Sequence, residues 1–209
     1  MSSIQQVFND IDAHLTGDDK PSKYLSQVIS TKLLRDTYPF TMLSDLFNTE
    51  QSPVHHPEGN VLNHTLMVVD EAAKRRVQSE FPRAFMWAAL LHDLGKAPTT
   101  KIRKGKLTSY DHDKVGEEMA YKFLIEFTED KNFIESVTSL VRWHMQILFV
   151  AKDLPFASIK PMLAQVSVEE MSLFSLCDRL GRRQMTQDKI IEEQKNVKVF
   201  KTKCLKYNK

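Results

Sequence analysis

Six side chains able to hold a cation or move a proton recur along this chain: His64, the adjacent pair His92 and Asp93, His112, His144 and Asp178. Imidazole nitrogen together with carboxylate oxygen suits Mn²⁺, Fe²⁺, Co²⁺, Ni²⁺ or Zn²⁺ without selecting among them. No cysteine shares the pattern, which argues against a structural thiolate zinc site. Each of the six also interrupts or ends an apolar stripe at helical spacing. His144 fills the missing step between Val141 and Leu148, in a series that begins at Ile134 and Val137. Asp178 follows Met171 and Phe174, and His112 precedes Val115, Met119 and Phe123. His64 lies between Val61 and Val68, at the edge of the face made by Leu62, Leu66, Val69 and Ala73. His92 and Asp93 end the apolar run FMWAALL, with Gly95 placed as a helix C-cap.

Taken singly, each residue has a plainer reading. A lone histidine on an apolar face is usually a hydrogen-bonded core residue. Asp178 is harder to dismiss, because an unpaired buried carboxylate costs several kcal/mol or takes up a proton. Either Arg179 or Arg182 pairs with it, or it is exposed, or a cation lies beside it. One cation shared by several helices would account for every interruption together. Neighbours on a regular helix diverge by about 100°, so His92 and Asp93 can both reach one ion only where the helix ends.

The elements that would carry these residues are helical almost throughout. Helices are predicted at roughly 2–15, 22–35, 39–48, 61–79, 81–94, 113–128, 131–150, 156–165 and 168–203, with Gly and Pro falling between them. KIRKGKLTSY could form a short hairpin around Gly105. No linker divides the chain, which reads as one all-α unit: an N-terminal helical section, 1–55, packed on a larger bundle, 56–209. A net charge of +2 gives no general case for nucleic acid. The cysteines Cys177 and Cys204 form no disulfide pattern, and the polar, acidic start MSSIQQVFNDIDAH is unlike a signal peptide. No apolar stretch approaches the ~18 residues a membrane span needs. A cytoplasmic protein is expected; its oligomeric state is not set by the sequence.

The ordered series His64, His92-Asp93 and Asp178 resembles the HD superfamily of metal-dependent phosphohydrolases, and His112 and His144 fall where members with a second metal carry further histidines. DKPSKYLSQVI, YPFTMLSDLF, HHPEGNVLNHTLMVVDEA, ALLHDLGKAPTT and LCDRLGR look like the HD region joined to bacterial tRNA nucleotidyltransferases and poly(A) polymerases. The likeness runs from about residue 20 to 186. The Gly-Ser segment and paired catalytic aspartates of the nucleotidyltransferase module are absent, so this chain is not expected to add CCA by itself. Where the branch often has an extra histidine, this chain reads SYDHDKVGEE, which leaves the second metal position open.

The resemblance implies an HD-domain helical bundle in which His64, His92, Asp93 and Asp178 hold a divalent metal: Mn, Fe, Ni, Co, Zn or Mg. Such a metal would acidify a water and neutralise phosphoryl oxygens. Asp93 could bridge to a second metal on His112 and His144, or those two histidines could orient the phosphate or protonate the leaving oxygen. Asp93, His112, His144 and Lys96 are thus the catalytic candidates. Lys96 and Arg182 are candidates for substrate contact, with an Asp178 salt bridge a competing role for Arg182. Glu58 could support a ligand histidine, or cap the helix that starts near Val61; the cap is the preferred reading. Lys101, Arg103, Lys104 and Lys106 form a basic loop that could attract a phosphorylated substrate or could simply be solvated. The expected substrate is a small phosphorylated compound, a nucleotide or a 2′,3′-cyclic phosphate. A non-catalytic tRNA- or partner-binding module is the alternative, and the weak net charge speaks against it. A purely structural metal is a third possibility.

Overall fold

The computed structural model describes residues 3–53 and 56–207. The predicted first position of the N-terminal helix, the boundary at residue 55 and the last two residues of the chain lie outside them. The chain is all-α as its spacing implies, apart from one two-stranded hairpin.

The centre of the bundle is α6 (Pro82–Leu91), in which every residue from Ala84 to Leu91 is buried. Its start follows from Pro82 at the first turn, where a missing N–H costs nothing. Around it pack α5 (Val61–Ala73), α9 (Lys131–Trp143) and α12 (Val168–Leu180). The outer layer holds α8 (His112–Leu124) against α9, and α13 (Gln187–Tyr207) against α12 and α10 (Gln146–Ala151). Short helices α7 (Lys96–Thr99) and α11 (Ile159–Leu163) complete this part. Local signals begin several of the helices: the side chains of Asn60, Asp130 and Ser167 each accept a backbone N–H in the first turn of α5, α9 and α12.

The N-terminal section consists of α1 (Ser3–Gly17), α2 (Ser22–Ile29), α3 (Lys32–Asp36) and α4 (Thr41–Asp45), followed by a 3-10 turn at Leu46–Asn48. It docks through apolar and polar contacts together. Phe8 stacks on Trp87 at 4.6 Å, and Asp12 Oδ1 accepts from both Trp87 Nε1 (2.6 Å) and Arg83 Nε (2.8 Å).

Several predicted helices are broken, and three of the breaks place a polar residue. The span 131–150 turns at His144 and Met145, between α9 and α10. The span 168–203 is interrupted after Leu180, where Gly181 leaves the helical region at ψ 45°. The span 81–94 stops at Leu91, so His92 and Asp93 occupy the turn before α7. Gly95 is not the left-handed cap expected of it: its φ is −64°, an ordinary helical value. What excludes a side chain there is contact, because an added Cβ would lie 2.0 Å from the carbonyl oxygen of His112 and 2.6 Å from the nitrogen of Gly116.

The hairpin around Gly105 forms as β1 (Thr100–Arg103) and β2 (Lys106–Ser109), antiparallel, with Thr100 opposite Ser109 and Arg103 opposite Lys106. Its two-residue loop has positive φ at both positions, 50° at Lys104 and 73° at Gly105. That is the twist a tight hairpin requires and the reason glycine stands at the second position.

Candidate metal centre

Four imidazoles from four segments are fixed in the same manner. His92 donates Nδ1–H to Ala89 O (3.0 Å), His112 to Ser109 O (2.7 Å) and His144 to Val141 O (2.7 Å). His64 donates Nδ1–H across the bundle to Gly181 O (2.9 Å). With Nδ1 committed to a carbonyl, the Nε2 of each ring is left for another partner; at His64 burial would lower the pKa, but Asp178, Glu58 and Asp93 raise it. All four Nε2 atoms gather around one carboxylate. Asp93 Oδ2 lies 3.3 Å from His92 Nε2 and 3.8 Å from His64 Nε2; Asp93 Oδ1 lies 3.6 Å from His112 Nε2 and 3.9 Å from His144 Nε2. The turn after α6 is what lets His92 and Asp93 face the same space.

Asp93 therefore divides the cluster into two halves, His64–His92–Asp93 and Asp93–His112–His144, each with donor atoms within 4.8 Å of one another. Asp178 joins the first half through His64, with Oδ1 3.1 Å from Nε2. His112 and His144 lie on the other oxygen of Asp93, with their Nε2 atoms 3.0 Å apart. Two anchored rings meeting through their lone pairs repel unless a proton or a cation stands between them.

The donor set fits a divalent cation. His92 Nε2 is buried with no hydrogen-bond partner, and an orphaned buried polar atom is costly enough to demand an explanation. Hard oxygen and borderline nitrogen donors, both deprotonated, form an ordinary site for the metals named above. Charge tells the same story. Burial is the largest influence on Asp93 and would raise its pKa, yet Lys96, His92 and His64 together hold it well below the carboxylate range. Asp178 is likewise held low against burial, by its hydrogen bond with His64 and by Arg182 nearby. Burial pushes His144 down to about 4, aided by the neighbouring His112 and His92, and burial also lowers His112. Both rings are thus neutral at pH 7 and could serve as ligands.

Lys96 reaches Asp93 Oδ2 at 2.8 Å and Gln51 Oε1 at 2.8 Å. A cavity of about 380 Å³ opens over the cluster, lined among others by Gln51, His56, Lys96, His112, His144 and Arg182. Among the described residues Arg182 forms no ion pair with Asp178, and its Nε is buried without a partner. Two pocket residues carry no periodic signal. Gln51 lies in an irregular segment, and His56 stands in the His-Pro-Glu-Gly turn. Burial lowers His56 to about 4, so it is neutral.

Glu58 does not cap α5, since Asn60 does so. Instead its carboxylate is buried behind the ligand ring, accepting from His56 Nδ1 at 2.8 Å and standing 3.2 Å from His64 Nδ1. Burial is again the largest influence and opposes ionisation, but hydrogen bonds from His56 and His64 and from its own backbone hold Glu58 far below its ordinary 4.5. A depressed carboxylate contributes stability that is fully present above the unfolded pKa and is lost as pH falls toward the folded one. We predict that Glu58→Gln costs roughly 2 kcal/mol at pH 7, the worth of hydrogen bonds to a charged group. The gap from wild type should narrow as pH drops below 4.5. Urea midpoints of both chelated proteins at pH 7 and at acid pH measure it, and a gap that stays constant refutes an ionised Glu58.

The HD domain family profile matches residues 61–191, more than half of the chain and all six residues of the cluster. The chain belongs to the HD domain family. HD domains are characteristic of metal-dependent phosphohydrolases, and the His/Asp cluster here could hold a divalent metal. Among its relatives is the Multifunctional CCA protein of Actinobacillus pleuropneumoniae (serotype 5b, strain L20), 37% identical over 83 residues, which are 40% of this chain and 20% of that protein. The Multifunctional CCA protein of Hahella chejuensis is 28% identical over 128 residues, 61% of this chain and 28% of its own length. That of Aromatoleum aromaticum is 50% identical over 54 residues, 26% of this chain and 12% of the relative. The HD chain described here therefore spans well under a third of the length of these relatives. No helix among the described residues is long and apolar enough to cross a membrane.

Proposed function

We propose that this HD domain hydrolyses a phosphate ester of a small nucleotide-like compound, a phosphomonoester or a 2′,3′-cyclic phosphodiester, with a divalent cation held by His64, His92, Asp93 and Asp178. The observation that carries the reading is the common anchoring of four imidazoles, whose Nε2 atoms surround one buried carboxylate. A divalent cation bound there supplies Lewis-acid charge and an acidified water.

The chain's own residues account for the rest. Asp93, ionised and buried, keeps both oxygens available, one to each half of the cluster. Lys96 stands at the cavity wall with its ammonium 2.8 Å from Asp93. From there it can turn one of its donors to a phosphoryl oxygen while Gln51 fixes its direction. Arg182 lines the same cavity and brings a second positive charge. His112 and His144 are neutral and buried. One of them can therefore take a proton at Nε2 and return it to the leaving oxygen, its Nδ1–H bond to a backbone carbonyl preserving ring orientation throughout.

The test is a substrate screen on protein loaded with Mn²⁺, Co²⁺ or Ni²⁺. Hydrolysis of p-nitrophenyl phosphate or 2′,3′-cyclic AMP is expected, lost on chelation and restored by adding the metal back. Protein that contains metal yet turns over no phosphomonoester or phosphodiester would favour a structural cation.

A further inference from the structure

A second cavity, of about 640 Å³, opens beside the first and shares Ser109, Tyr110, His112 and Met145 with it. Three aromatic rings stand in its walls, among charged residues that include Lys114 and Arg142. The rings of Phe149 and Phe156 pair at 5.5 Å, and Phe156 is 67% exposed; Tyr110, across the shared wall, is 63% exposed. Scattered exposed rings are ordinary on a protein surface. These rings, however, border one cavity, and both sides are held in place. Gln146 Oε1 accepts the backbone N–H of Ser158 (2.7 Å) and its Nε2 donates to Phe156 O (3.4 Å), tying the loop after α10 to that helix. Opposite, the guanidinium of Arg103 lies 4.7 Å over the Tyr110 ring and donates to Thr108 Oγ1 (2.6 Å). Asp111, between Tyr110 and His112, has a φ of 58°, a conformation that side-chain-bearing residues avoid and that tends to gather at functional sites.

We propose that this second cavity is a nucleobase subsite, in which Tyr110, Phe149 and Phe156 stack the base of a nucleoside phosphate whose phosphate lies against Lys96 and Arg182 in the first cavity. The inference rests on the phosphohydrolase reading of the metal cluster and extends it to the substrate's other end. Two features select this occupant. The second cavity adjoins the first across His112 and Met145, so a ligand held in one borders the other. The polarity differs as well: Lys96 and Arg182 line the phosphate end, while the charges of the second cavity pair with one another, Lys114 with Asp111 and Arg142 with Asp113, and leave the rings of Tyr110, Phe149 and Phe156 as its apolar faces. A sugar phosphate would satisfy the first and leave the second bare. Base stacking on aromatic side chains tolerates any base, so the subsite predicts a nucleotide without choosing which.

Calorimetric titration of Mn²⁺-loaded protein tests this, with non-hydrolysable phosphonate analogues of AMP and of ribose 5-phosphate as probes and adenosine as a third. The AMP analogue should bind about tenfold tighter than the ribose analogue. Phe156→Ala should remove most of that advantage without changing affinity for the ribose analogue, and Tyr110→Ala should remove most of it as well. Tyr110→Phe and Phe156→Tyr, which keep the ring, should retain it. Equal affinity for the two phosphonates in the wild type overturns the proposal, as do alanine variants that bind the AMP analogue normally. Adenosine binding that depends on Phe156, with no binding of the ribose analogue, would uphold the subsite and overturn the phosphate reading instead.

Discussion

Replacing Asp93 with alanine is expected to empty the site of metal and to lower phosphatase activity by roughly a thousandfold or more. Asp93 is the one residue common to both halves of the cluster, and its two oxygens serve different partners. Without it each half keeps only imidazoles, apart from the Asp178 carboxylate at His64, and the negative charge that offsets the cation is halved. Lys96, half-buried against Asp93 Oδ2, would also lose its counter-charge and add a repelling ammonium to the site. Three measurements separate these effects. Elemental analysis should find metal in wild type and background levels in Asp93→Ala. In melting experiments, free cation at 100 times its Kd should stabilise wild type by ~2.7 kcal/mol. For a chain of this size that is roughly 5–10 °C. The variant should show no such shift. Lys96→Met should still bind the cation, because the ammonium competes with it for Asp93. Activity retained by Asp93→Ala would exclude this cluster as the catalytic centre.

Residues that meet at Asp93 are visible in the sequence because a polar side chain on an apolar stripe breaks a regular pattern, as His144 does between Val141 and Leu148. The all-α architecture is visible for the same reason, since helical spacing recurs with few competing signals. Periodicity carries no information about residues outside it. Gln51 and His56 lie in irregular segments, where their convergence on the cavity leaves no trace, and the buried contact of Glu58 with His64 stands there only as the less favoured of two readings. Nor does it mark where a helix stops. The stretch 131–150 is apolar at helical spacing across His144, yet the chain turns there, between α9 and α10. The aromatic wall at Phe149 and Phe156 belongs to the same class: it depends on a loop folding back onto α10 through Gln146.

Gly95→Ala is expected to be the most disruptive small substitution in the chain, costing about 3 kcal/mol or more. Overpacking usually meets flexible side chains that can move aside, but the atoms here are backbone: His112 O at 2.0 Å, Gly116 N at 2.6 Å and His112 C at 2.9 Å from the added carbon. Accommodating it means pushing the start of α8 away from the turn that carries His92 and Asp93. His112 would be carried off with α8, so the damage falls on the metal cluster as well as on the fold. Gly181→Ala should act in the same sense through Val68, whose backbone nitrogen and α-carbon lie 2.7 Å from the added carbon. That displacement would pull the carbonyl of Gly181 from His64 Nδ1. Gly17→Ala is the control, because nothing stands within 4 Å and no unusual φ is required; at the end of α1 it should be neutral or slightly stabilising. Urea unfolding of the three variants, each with and without cation, decides the matter. A Gly95→Ala protein of wild-type stability that still binds metal would mean that the turn and α8 do not approach as closely as the Asp93 site requires.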